Sequence, residues 1–186
     1  MMDQENILKQ LLKYPYMYNE KKLAEILGLD LEEAKYILDL AKNLSVEFVE
    51  LVSFEKLKCA FLTIKFLHNP SAELLKKLLK KEEARKIICE TLALFCHRAK
   101  NLDKVVDAIR MLMRSRDVDL KWYCSVLLNI IYAKTSDREI REKIKRVRST
   151  SPLIRELLNV WQAQDRIKEI RKLVKKYLLD FREVYD

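Results

Sequence analysis

Residues Lys21–Asn43, KKLAEILGLDLEEAKYILDLAKN, contain the only glycine of the chain, Gly28. Two helical patterns meet there. Leu23, Ile26 and Leu27 share one side of the first, while Leu31, Ala34, Ile37, Leu38 and Ala41 share one side of the second. Ala24, four residues before the glycine, leaves room for a close helix crossing, and Gly28 tolerates the positive φ of a tight turn. Asp30 is placed to cap the second helix. This pattern predicts a helix-turn-helix arrangement.

Outward from this stretch, glycine scarcity sets the fold class. Hairpin turns draw on glycine for φ > 0, and a chain of 186 residues with one Gly and three Pro has little means of making them. The expected class is all-α. A first amphipathic helix is predicted over Gln4–Lys13, with Ile7, Leu8, Leu11 and Leu12 on one side, and Pro15 in YPYMY ends it. The tyrosines there suit either a contact patch or a staple fastening the loop to the core. Together these elements make a three-helix head over residues 1–50.

The segment SVEFVELVSFEKLKCAFLTIKFL reads equally as two strands or as a helix from Ser53. Asn69-Pro70-Ser71 breaks the chain before AELLKKLLK. Helical spacing then runs through Glu82–Lys100, with Ile88, Leu92, Phe95 and Ala99 on one face. Asn101 is expected to cap a helix striped by Leu102, Val105, Val106, Ile109, Leu112 and Met113. Asp119 is expected to cap the next, with Lys121, Ser125 and Asn129 outward, although that segment also alternates like a strand. Ser136 is expected to cap Asp137–Arg148, and Ser151-Pro152 to open a long last helix to about Val184.

Charge separates the two parts. Residues 1–50 carry 6 Lys/Arg against 10 Asp/Glu, residues 51–100 carry 11 against 5, and residues 101–186 carry 20 against 13. The positive charge therefore belongs to the body, residues 51–186, which is +13 against −4 in the head, and such a surface suits nucleic acid or an acidic protein surface. Arg138, Arg141, Lys145 and Arg148 follow the helical repeat opposite Ile140, Ile144 and Val147. In the last helix Arg166, Lys168, Arg171, Lys172 and Lys175 flank Ile167, Ile170, Val174, Tyr177 and Phe181. These nine cations are the candidate nucleic-acid-binding residues. The last helix also carries a heptad-like seam, which would suit a homodimer.

No catalytic constellation emerges. His68 and His97 stand alone in sequence, and Cys59, Cys89, Cys96 and Cys124 have no metal-ligand spacing. One glycine excludes a Gly-rich phosphate loop. The expectation is a non-enzymatic protein without cofactor or metal. The start MMDQEN has no signal-peptide pattern, and the longest uncharged apolar run, residues 122–133, is too short for a bilayer, so a cytoplasmic location is expected.

Two resemblances bear on these residues. The helix-plus-turn spacing of the breaks near 53, 70, 101, 119, 136 and 152 resembles HEAT/armadillo-type repeats, which implies an α-solenoid-like body. KKLAEILGLDLEEAKYIL followed by VSFEKLKCAFLTIKF resembles the start of Lrp/AsnC-type transcription regulators, which would imply DNA binding through the head and a βαββαβ domain after it. Trp122, Trp161, Asp119 and Asp165 supply residue types found in HEAT-like DNA glycosylases, without an aligned motif. The leading expectation is a binding protein associating with nucleic acid through the body. A protein-interaction scaffold and an Lrp-like regulator are the alternatives.

Overall fold

Helix α4 (Glu50–His68) is the central element of the described residues. Phe54, Leu57, Ala60, Phe61, Ile64, Phe66 and Leu67 are all buried and cover most of its circumference, leaving a half-buried side of Glu55, Lys58, Leu62 and Lys65. Even Ser53 and Thr63 are inside, and the Thr63 hydroxyl donates a hydrogen bond to the Cys59 carbonyl at 2.7 Å. A helix apolar over most of its circumference belongs in the middle of a packed array. The computed structural model describes residues 3–45 and 50–147, and among these it contains nine α-helices and no strand. The segment that could be drawn as two strands is thus helical from Glu50 onward, three residues before the expected start at Ser53.

Before α4 come α1 (Gln4–Lys13), α2 (Glu20–Leu27) and α3 (Leu31–Leu44). Asp3 and Asn19 cap the first two through the backbone N–H groups of Glu5 and Lys22. Gly28 ends α2 at φ 65°, the left-handed conformation its position calls for. Asp30 and Glu33 form a reciprocal capping box at the start of α3. The inner face of α3 is Ala34, Ile37, Leu38, Ala41 and Leu44, whereas Leu31, expected on that stripe, is half exposed. In the YPYMY loop only Pro15 is buried. Tyr16 and Met17 are 82% and 75% exposed, so the loop is not stapled to the core by those side chains.

After α4 follow α5 (Ala72–Leu79), α6 (Arg85–Phe95), α7 (Leu102–Leu112), α8 (Val118–Lys134) and α9 (Arg138–Lys145). The Glu82–Lys100 segment is not one helix: 3-10 turns at Glu82–Ala84 and Cys96–Arg98 flank α6. Helix α6 packs on α4 and α8, and α7 packs on α5 and α9, so alternate helices stack in succession. Arg85 braces this stack. Its Nε donates to the Leu79 carbonyl at 3.0 Å and its Nη1 to the Tyr123 hydroxyl at 2.8 Å.

Two caps differ from where the sequence suggested, by two positions at α8 and by one at α9. Asp117, not Asp119, accepts from the Leu120 N–H, and Asp137, not Ser136, accepts from Glu139 and Ile140. The correction to α8 is larger. Tyr123 to Tyr132 are buried without interruption, including Ser125 at 0% and Asn129 at 1% exposure, which were expected outside. Ser125 survives burial by donating to the Lys121 carbonyl, and Asn129 donates its amide to the Ser125 carbonyl. The described part of α9 ends at Lys145, short of Arg148, and the long helix expected from Ser151-Pro152 lies outside the described residues. No described helix is long and apolar enough to cross a membrane.

Candidate nucleic-acid interface

Helix α9 owes its orientation to a short run of local chemistry. Thr135 Oγ1 accepts from the Asp137 N–H at 3.1 Å, and Asp137 then caps the helix. Ile140 and Ile144 bury against the array, which turns the charged positions away from the core. Among the sequence-predicted cations, Arg138 is exposed at the first turn. Arg141 is committed inward: its Nε donates to the Thr135 carbonyl at 2.9 Å and its guanidinium lies 5.3 Å from the Tyr132 ring centroid. Lys145 binds Glu142 at 3.0 Å and lies 5.9 Å from the same ring. Hydrogen bonding to Lys145 holds the Glu142 carboxyl below its ordinary range. Arg148, Arg166, Lys168, Arg171, Lys172 and Lys175 lie outside the described residues.

Two arginines that the sequence pattern did not single out complete a site with Arg138. Arg146, at the C-terminal cap of α9, and Arg110 of α7 line the same open cleft of about 680 Å³ as Arg138. Glu139, Glu142 and Lys143 complete its lining. Most of the acids near this cleft already hold a cation. Lys143 bridges Asp103 at 2.6 Å and Asp107 at 2.7 Å, locking α9 to α7. Burial pulls the Lys143 ammonium down, but its hydrogen bonds to the two aspartates outweigh this and leave its pKa raised. Arg110 reaches Asp107 only at 3.8 Å, and Arg138 and Arg146 form no ion pair among the described residues. The cleft therefore presents three guanidiniums with Glu139 as the acid left without an ion pair among the described residues. A 4-3 spacing of Asp103, Asp107 and Arg110 along the outer side of α7 was the signal available for finding this face.

The head is occupied differently. Glu33, only 3% exposed, accepts from the Asp30 N–H with one carboxylate oxygen and from His68 Nε2 at 2.8 Å with the other. His68 is thus not isolated in space, and its role is to bridge α4 to the start of α3. Lys65 donates to the Gly28 carbonyl at 3.2 Å, and Arg98 pairs with Asp30 and Glu32. The N-terminal turn of α3 is covered by Lys65, His68 and Arg98, and the helix's exposed positions include Glu32, Lys35 and Asp39. Phosphate would meet two acids and one lysine there.

All four cysteines are buried as free thiols. Burial pushes the thiols of Cys59, Cys89 and Cys124 up to about 12 and that of Cys96 to about 11. Such thiols stay protonated near neutral pH. No group of three or more His, Cys, Asp or Glu side chains is placed to hold a metal ion among the described residues. Comparison with known proteins adds no relative: no family model, curated protein or solved structure matches this chain.

Proposed function

We propose that this is a non-catalytic binding protein that associates with nucleic acid through the α7–α9 cleft. One observation carries the reading: Arg110, Arg138 and Arg146 line one open cleft while the neighbouring aspartates are taken up by Lys143. Guanidiniums held on rigid helices suit phosphate oxygens, and each phosphate neutralised adds to a salt-dependent affinity. The cationic excess of residues 101–186 would add long-range attraction. Arg141 and Lys145 keep a supporting role, since both are engaged with Tyr132 or Glu142.

The test is fluorescence anisotropy with single-stranded and duplex oligonucleotides over a salt series. An R138A/R146A double variant is expected to weaken binding similarly across sequences. It should also flatten the slope of log K against log salt by nearly one for each lost phosphate contact, since that slope is about −0.7 to −0.9 per contact. Replacing Lys35 and Lys42 in the head should have a smaller effect. Loss of binding in the head variant alone would favour the Lrp-like reading, and no binding at low salt would overturn nucleic-acid association altogether.

A second reading, a protein-interaction scaffold, is favoured by the YPYMY loop. Tyr14, Tyr16 and Met17 form a run of exposed large apolar side chains within four residues, and Lys13 and Lys42 lie within 5.3 and 5.4 Å of the Tyr14 and Tyr16 rings. Tyrosine-rich exposed patches are common at protein interfaces.

A further inference from the structure

Between α4 and α5 the surface opens into a groove of about 520 Å³, far in character from the arginine cleft. Its floor is apolar, made of Leu62 and Leu74, both half buried, with Leu78 and Cys59 beneath. Its rim is cationic: Lys58, Lys77, Lys80 and Lys81 line it, with Glu55 as the acid among the lining residues. Glu55 is held by Lys81 at 3.7 Å, and Lys58 reaches Glu5 of α1 at 3.5 Å. Lys80 forms no ion pair among the described residues, and Lys77 meets only the highly exposed Glu73 at 3.7 Å.

The origin of the groove is readable in AELLKKLLKK. Leu75, Leu78 and Leu79 turn inward against the array, leaving Leu74 at the edge and the paired lysines on the outer side. The volume falls within the ~300–1,000 Å³ of ordinary binding clefts. Lysine stems can lie along apolar surface while their ammonium groups reach outward. An apolar floor between lysine rims matches one shape of ligand well: a helix with an apolar stripe and carboxylates on its flanks.

We propose that the α4–α5 groove binds an acidic amphipathic helix of a partner protein, its apolar stripe on Leu62 and Leu74 and its carboxylates on Lys77 and Lys80. This is independent of the nucleic-acid reading, because it uses a different face. Charge selects the occupant. Nucleic acid would meet the lysines but gain nothing from the leucine floor. Residues 148–186 of the chain itself carry 9 Lys/Arg against 6 Asp/Glu, the wrong sign for this rim.

The experiment uses the full chain and a fluorescein-labelled helical peptide of about 18 residues, five turns, with leucines at i, i+3, i+4 and i+7 and glutamates flanking them. A second peptide of equal composition has its leucines scattered around the helix. Saturable binding of the striped peptide is expected, at least about tenfold tighter than the scattered one, a difference of about 1.4 kcal/mol. A K77E/K80E variant, whose two side chains are exposed and whose fold is checked by circular dichroism, should lose about tenfold or more for the striped peptide. It should keep oligonucleotide affinity at the α7–α9 face nearly unchanged, apart from the long-range effect of net charge. Equal affinity for the two peptides, no saturable binding of either, or an unaffected K77E/K80E variant would overturn the proposal. So would displacement of the peptide by an oligonucleotide in the R138A/R146A background, which would make the groove a phosphate site. A concentration-dependent dimer abolished by K77E/K80E would likewise assign the groove to a second copy.

Discussion

Gly28 serves two neighbours at once. Its φ of 65° lets α2 stop and α3 begin three residues later, and its carbonyl receives the Lys65 ammonium from α4. A Cβ added there would lie 3.2 Å from that same ammonium, so the substitution G28A meets both backbone strain and a crowded lysine. A left-handed non-glycine residue costs roughly 1–2 kcal/mol, and urea denaturation of G28A should show a loss of about that size with an unchanged m-value. An unchanged midpoint would mean that the turn relaxes freely. The capping box Asp30–Glu33 and the αL glycine were legible because their chemistry is local. The Glu33–His68 pair was not, since its partners are 35 residues apart and only the fold brings them to 2.8 Å. Buried protons give a second prediction at this scale. The thiols of Cys59, Cys89 and Cys124, raised from 9.0 to about 12, and the Tyr36 phenol, raised from 10.0 to about 12 by burial, all keep their protons longer in the folded chain. Above pH 9 the unfolded chain holds fewer protons than the folded one, so stability is fully present below pH 9 and falls as pH rises toward 12. Each such group contributes a slope of up to about 1.4 kcal/mol per pH unit, and denaturation midpoints at pH 8 and pH 10.5 measure the fall. A C89A variant should show a shallower decline, and a flat profile between the two pH values would contradict the burial of these groups.

Among the elements, α4 and α8 explain why part of the chain was ambiguous on inspection. Sequence periodicity reports an amphipathic face, and in these two helices it is blurred: α4 is buried over most of its circumference, with Glu55, Lys58 and Leu62 half buried at its outer edge, and α8 is buried continuously from Tyr123 to Tyr132. They are the same two segments that could be drawn as strands. Helices α1, α3, α5 and α7, each with one apolar stripe, were legible from their spacing, as were the caps Asp30 and Asn101, whereas the caps of α8 and α9 lie two residues and one residue from the expected positions. Ser125 and Asn129 misled because polar residues usually face water. Asn129 is the costlier of the two. Its amide donates to Ser125, but its Oδ1 accepts no hydrogen bond among the described residues. A buried acceptor left unpaired costs about 1–3 kcal/mol, so N129L, close in volume, should be neutral or more stable by about 1 kcal/mol in thermal or urea unfolding. A loss above about 2 kcal/mol would show that the Asn129 oxygen is satisfied after all.

At the scale of the whole molecule, the charge totals pointed to the body, and the described structure narrows the cationic face without using every predicted residue. Arg138 stands at the α7–α9 cleft, Arg141 and Lys145 turn toward Tyr132, and Arg110 and Arg146 join from positions the stripe argument passed over. The reason is geometric: a helical repeat groups residues on one helix, whereas a cleft is made by two. Acids at the start of α3 pair with His68 and Arg98 while Lys65 holds the Gly28 carbonyl, which supports the proposed placement of phosphate on the body rather than the head. Hydrogen exchange of the full chain at low salt, with and without a saturating single-stranded oligonucleotide, tests this placement most directly. Slower exchange is expected in α9 and along α7 around Arg110, with α3 unchanged. Slower exchange confined to α3 and the turn before it would contradict the account.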